Sequence, residues 1–134
     1  FLTLETDLPS NSFKKLLSSF NHPNVKANYD IGNSIALGYD IKDDLTTLGS
    51  LISNIHVKDR KYHGYTVPLG EGDANFELFF NTLSQINYKG DFIIQGAREF
   101  SYKLTPEETC IKYLQFVKIY VDKYFSHTSG KLRK

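Results

Sequence analysis

A single cysteine, Cys110, excludes an internal disulfide framework. A reducing compartment, the cytoplasm, is the simplest setting for such a chain. Cys110 lies in an apolar helical pattern and is expected to pack as a small buried hydrophobe. Charge of one sign is also missing, since 16 Lys and Arg face 15 Asp and Glu and leave a formal net charge of +1. No large field draws the chain to nucleic acid or to a membrane. No apolar run approaches the length of a membrane span, and no secretory leader is visible. No Ser-His-Asp or Cys-His grouping stands out. The first residue is Phe1 rather than Met. It sits inside an apolar alternating run, which reads as a chain cut or processed within a larger architecture.

What is present fits one folded domain. Forty per cent of the 134 residues are apolar, enough for a real core. The run Ile52 to Arg60 is the most informative stretch. Ile55 and Val57 share one face of an extended segment, while Asn54, His56 and Lys58 share the other. Three other segments repeat this layout: Phe1 to Glu5, Val25 to Asp30, and Phe92 to Gln95. Between them lie helical patterns. The first is capped by Ser10 or Asn11 and carries Phe13, Leu16, Leu17 and Phe20; the next is opened by Asp43 or Asp44. Asp73 is the expected cap of a helix through Phe76 to Ile86. Thr105-Pro106-Glu107-Glu108 is a strong start for a last helix reaching about Phe125. Gly32-Asn33-Ser34 reads as a turn, and Lys61 to Gly72 as a long loop. The tail from Ser126, basic over 129–134, is expected to fray. Alternating strands and helices argue for a parallel sheet with right-handed crossovers. Four such units make either a small doubly wound sheet or half of a (β/α)8 barrel, because a full barrel needs roughly 250 residues.

The last inward residue of each strand is polar: Glu5, Asp30, His56 and Gln95. Parallel strands would bring the four to one rim. Two carboxylates, an imidazole and an amide oxygen suit a divalent cation such as Mn, Co, Zn or Mg. Taken singly, each has a plainer reading, as a helix cap, a lysine partner or a satisfied structural histidine. It is their shared phase that favours a site. Lys58, Arg60 and Arg98 fall at the same rim, where they could hold a sugar hydroxyl or phosphate or simply be surface charges. Gly70-Glu71-Gly72 could offer backbone N–H groups to a phosphate, or be a flexible turn; it lacks the spacing of a P-loop or a dinucleotide fingerprint. His22, His63 and His127 read as surface residues.

Several stretches resemble one family in that family's order. They are Leu4-Glu5, Tyr29-Asp30-Ile31-Gly32-Asn33, Ile55-His56-Val57-Lys58-Asp59, Leu69-Gly70-Glu71-Gly72-Asp73 and Gly90 to Gln95. The sequence is similar to the xylose isomerase-like TIM barrels, which include sugar and sugar-phosphate isomerases and epimerases and the endonuclease IV class. The resemblance covers only strands five to eight. It therefore implies an α/β fold of four consecutive β-α units, the C-terminal half of a (β/α)8 barrel over residues 1–128. It also implies a divalent metal held by Glu5, Asp30 and His56, with Gln95 where many members carry glutamate. Members that epimerise are thought to use the first and fourth carboxylates as opposing acid and base. An amide can ligate but cannot serve as a base. Asn33 stands where several members have a substrate-contacting histidine.

The expected activity is thus a metal-dependent isomerase or epimerase of a sugar or sugar phosphate, working through an enediolate. Glu5 and Gln95 are its candidate catalytic residues, and Asn33, Lys58, Arg60 and Arg98 its substrate contacts. An endonuclease IV-like nuclease and a non-catalytic half-barrel are the alternatives. The near-neutral charge and Asn33 argue against the nuclease. A half-barrel would also need its N-terminal half or a second copy to cover its edges.

Overall fold

A computed structural model describes residues 1–97 and 104–125. Arg98, His127 and the expected basic tail lie outside the described residues. Strand β1 (Leu2–Leu4) is followed by α1 (Ser10–Ser19), β2 (Val25–Asp30), α2 (Ile31–Leu37) and α3 (Ile41–Leu48). A single 3-10 turn leads into β3 (Ile52–Val57), then a short ribbon of β4 (Asp59–Arg60) and β5 (Thr66–Val67). Helix α4 (Phe76–Gln85), β6 (Asp91–Ile94) and α5 (Pro106–Phe125) complete the order. The main sheet runs β1-β2-β3-β6 and every pairing in it is parallel. Four parallel strands with helical crossovers are the α/β arrangement of part of a TIM barrel.

The core lies between the sheet and the helices. Ala27 and Tyr29 from β2 and Ile55 and Val57 from β3 meet Leu45 and Leu48 of α3 and Phe79, Phe80 and Leu83 of α4. The opposite face carries Asn28, Asp30, Asn54 and His56. A register shift keeps that polarity. Ile52 pairs with Ala27 and Asn54 with Asn28, leaving Ser53 as an extra residue. This bulge lets Ile52 stay in the helical layer while Asn54 and His56 keep the other phase.

Several boundaries differ from the sequence expectation. Gly32-Asn33-Ser34 is the first turn of α2 rather than a loose turn, because Asp30 accepts from the Asn33 N–H at 3.0 Å and caps the helix. Asp40, not Asp43 or Asp44, caps α3. Asp44 instead points into the core, where Ser34 Oγ (2.6 Å) and Tyr29 Oη (3.3 Å) donate to it. Neither Ser10 nor Asn11 caps α1, whose cap position is Pro9. The Ser10 side chain lies near the Asp44 carboxylate and favours its charged form. Asn75 replaces Asp73 as the cap of α4; Asp73 accepts from the Tyr62 N–H. Thr105 and Glu108 do form the reciprocal capping box. Cys110 is exposed rather than buried. The buried stripe of α5 runs through Thr109, Tyr113 and Val117, and Cys110 lies about 100° around the helix from it.

Candidate metal centre

Glu5 follows β1 directly. Leu4 pairs with Ala27, so Glu5 stands level with Asn28, two residues short of Asp30. The strand ends are therefore staggered, and the longer glutamate side chain makes up the distance. Asp30 ends β2 and pairs with His56 in β3. Glu5, Asp30 and His56 each offer one donor atom, and the three atoms lie within 4.8 Å of one another. His56 Nδ1 is 3.1 Å from Glu5 Oε2 and 3.9 Å from Asp30 Oδ2. The Asp30 side chain is almost wholly buried at 1% exposure, against 22% for His56 and 34% for Glu5.

The other oxygen of each carboxylate is already engaged. Asp30 Oδ1 takes the Asn33 N–H, and Glu5 Oε1 takes Asn33 Nδ2 at 2.8 Å. Glu5 Oε2, Asp30 Oδ2 and His56 Nδ1 face one another, with Asn28 Nδ2 against the first and third and Lys58 Nζ against the second. Cation bonds of about 2.0–2.2 Å set ligand atoms about 3–3.5 Å apart; the His56–Glu5 separation of 3.1 Å meets this, and the 3.9 Å between His56 and Asp30 closes with a small side-chain shift. Two carboxylate oxygens and one imidazole nitrogen form a donor set for a cation of intermediate hardness. These residues fit a divalent metal.

Cations and amides frame the trio. Lys58 Nζ lies 3.4 Å from both Asp30 Oδ2 and Asn33 Oδ1. Gly32 makes room for that lysine, since a Cβ there would stand 2.8 Å from Lys58 Cγ. Arg60 donates to Asn33 Oδ1 at 3.1 Å and through Nε and a terminal nitrogen to the Gly64 carbonyl. Asn33 thus joins Glu5 to both cations. Two residues that the sequence reading passed over complete the cluster, Asn28 and Asn54. Asn28 Nδ2 contacts Glu5 Oε2 at 2.5 Å and His56 Nδ1 at 3.1 Å, and Asn54 Nδ2 donates to Asn28 Oδ1 at 2.7 Å. Their signal was in the sequence, because both share the phase of Asp30 and His56.

Gln95 lies one residue beyond β6, and its N–H continues the pairing by donating to the Val57 carbonyl at 3.0 Å. Asp91 and Ile93 point away from the helices, and Gln95 follows their phase onto the face that bears His56. None of the hydrogen bonds around Glu5, Asp30 and His56 among the described residues goes to its side chain. It borders a cavity with Ile94, Gly96, Cys110 and Tyr113.

The Gly70-Glu71-Gly72 loop is not an anion site. Asp59, 1% exposed, accepts from the N–H groups of Gly70 (2.9 Å), Gly72 (2.8 Å) and Ala74 (3.2 Å). The chain's own carboxylate occupies the donors a phosphate would need. His63 and His22 are exposed as expected; His63 packs against Tyr62 with ring centres 3.9 Å apart and planes tilted by 47°.

Comparison with known proteins gives the family and the fold. The sequence model of a family described as xylose isomerase-like TIM barrel matches residues 10–115. L-ribulose-5-phosphate 3-epimerase UlaE of Escherichia coli O1:K1 / APEC is 38% identical over 90 residues, 63% of this chain and 31% of that protein. A putative L-ribulose-5-phosphate 3-epimerase, SgbU of Haemophilus influenzae, is 36% identical over 90 residues, covering 62% and 32%. Among solved structures, a xylose isomerase domain protein from Planctomyces limnophilus superposes with a TM-score of 0.75 at 21% identity, over 90% of this chain and 46% of that one. The IOLI protein with a binding zinc atom gives 0.73 at 24% identity, over 92% and 45%. The matched region is about a third of the length of these curated relatives.

Proposed function

The chain belongs to the xylose isomerase-like TIM-barrel family, and from that premise we propose that it carries the metal-binding rim of an isomerase or epimerase acting on a sugar or sugar phosphate. One observation carries this reading: Glu5, Asp30 and His56, from three successive strands, bring one donor atom each within 4.8 Å of the others. The relatives named as L-ribulose-5-phosphate 3-epimerases and the neighbour with a binding zinc atom support it. A divalent cation bound there supplies a Lewis acid that polarises a substrate carbonyl.

Glu5 is both ligand and base. It is the more solvent-open of the two carboxylates, and Asn33 and Asn28 fix its direction. Lys58 and Arg60 face hydroxyls or a phosphate of the substrate, and Asn33 stands between them and Glu5; Arg98, a further contact expected from the sequence, lies outside the described residues. Gln95 binds the cation or the substrate from the fourth strand. Its amide cannot take a proton, so in this scheme Glu5 alone removes and returns it. The complete enzyme needs a further half-barrel, in the same polypeptide or from a second copy, to cover the open sheet edges.

The test is proton exchange into L-ribulose 5-phosphate in deuterated water, with the chain carried in its complete barrel and loaded with Mn2+ or Zn2+. Deuterium should enter the carbon next to the carbonyl, and Glu5→Gln should reduce that entry by about 100-fold or more. Exchange that persists in a metal-loaded Glu5→Gln protein removes Glu5 from the role of base. A second carboxylate introduced as Gln95→Glu should raise epimerisation by about 10-fold or more.

A further inference from the structure

Asn28 is buried at 6% exposure, in the middle of β2, and touches two of the three proposed ligands. The direction of its amide is fixed from two sides. A carboxylate only accepts, so the group facing Glu5 Oε2 at 2.5 Å must be the NH2. An amide NH2 only donates, so the group facing Asn54 Nδ2 at 2.7 Å must be the carbonyl. Both constraints give the same answer. The NH2 of Asn28 therefore also faces His56 Nδ1 at 3.1 Å. His56 Nδ1 stands 3.1 Å from both that NH2 and Glu5 Oε2, so it accepts from the amide in the Nε2–H tautomer and donates to the carboxylate in the Nδ1–H tautomer.

We infer that Asn28 is a positioning residue for the metal centre: its NH2 orients Glu5 Oε2 and holds His56 in the tautomer whose Nδ1 lone pair faces the carboxylates, with Asn54 locking the amide. This inference rests on the metal-site reading above. Without the amide, the 3.1 Å approach of His56 Nδ1 to Glu5 Oε2 would favour Nδ1–H donating to the carboxylate. That hydrogen bond would block both donor atoms. With Asn28 in place, a cation displaces one N–H contact from Nδ1 and meets a lone pair already aimed at it. The chemistry is that of an outer residue setting the orientation and basicity of a metal-bound histidine. Here an amide does from the ligand side what a carboxylate or carbonyl usually does from the far nitrogen.

Two readouts test this on the full chain. Long-range nitrogen-15 NMR of the metal-free protein should show His56 as the Nε2–H tautomer, and an Nδ1–H tautomer overturns the inference without touching the metal reading. Calorimetric titration with Zn2+ should show Asn28→Leu binding about 10- to 100-fold more weakly than the unsubstituted chain. Asn54→Leu should shift affinity in the same direction by a smaller factor, and it keeps the test open if Asn28→Leu does not fold. Zn2+ binding unchanged in a folded Asn28→Leu or Asn54→Leu chain overturns the role of the amide alone. No Zn2+ uptake by the unsubstituted chain overturns the metal reading and, with it, this role.

Discussion

Asp44 shows how a single carboxylate can be spent on architecture beside a site. It is buried, with Ser34 and Tyr29 donating to it. Burial pushes its carboxyl above the usual range, against the pull of those hydrogen bonds. Burial, followed by the charge of Asp44, likewise raises the Tyr29 phenol. A folded-state carboxyl raised above its unfolded value favours the fold below the unfolded pKa, and that contribution fades as pH rises through the folded one. Asp44→Asn removes this dependence. The melting temperature of the variant minus that of the parent should therefore increase from pH 4 to pH 7 in paired thermal scans; a constant difference would contradict it. Sequence reading saw Asp44 only as a helix opener, because periodicity carries no information about which neighbouring helix supplies the hydroxyls. By contrast the place of Asp30 beside Glu5 and His56 was legible from its phase. Its second task as the cap of α2 was hidden, since Gly32 suggested a turn where it actually admits Lys58.

At the level of elements, the segment between β3 and α4 is the least readable and the most constrained. Alternation announced β3 through Ile55 and Val57, and the aromatic run announced α4. The ribbon of β4 and β5 has two residues in each strand, too short for any periodic signal. What holds the segment is Asp59 with its three backbone donors. Gly72 is required there, because a Cβ would stand 1.9 Å from Asp59 Oδ1. Asp59→Ala should cost about 3 kcal/mol by leaving buried N–H groups without an acceptor. Gly72→Ala should cost about 2 kcal/mol by forcing the loop off the carboxylate. Urea denaturation measures both, and an unchanged midpoint for either would place the loop's anchor elsewhere. Because Arg60 leaves the same ribbon toward Asn33, Gly72→Ala is also expected to weaken substrate binding before it unfolds the chain.

For the whole molecule, order and direction of the strands were readable from four repeated β-α patterns, while closure was not. The sheet ends on β1 and β6, each paired on one side only among the described residues. Phe1 before β1, Leu2 on β1, Ile93 on β6, and Ile111, Leu114 and Ile119 on α5 are exposed apolar groups. Unpaired parallel edges flanked by such groups invite association. The chain prepared alone should therefore show, by light scattering, a mass at or above twice the monomer, together with binding of a hydrophobic dye. A monodisperse monomer that excludes the dye would mean the edges are covered from within. No helix among the described residues is long and apolar enough to cross a membrane.

The donor atoms of Glu5, Asp30 and His56 lie within 4.8 Å of one another. The most direct measurement is anomalous X-ray diffraction, at the metal's absorption edge, from crystals grown with Mn2+ or Zn2+. The predicted result is one strong peak about 2.0–2.3 Å from Glu5 Oε2, Asp30 Oδ2 and His56 Nδ1 together. A crystal with that peak elsewhere, or with none while all three side chains are ordered, would contradict it.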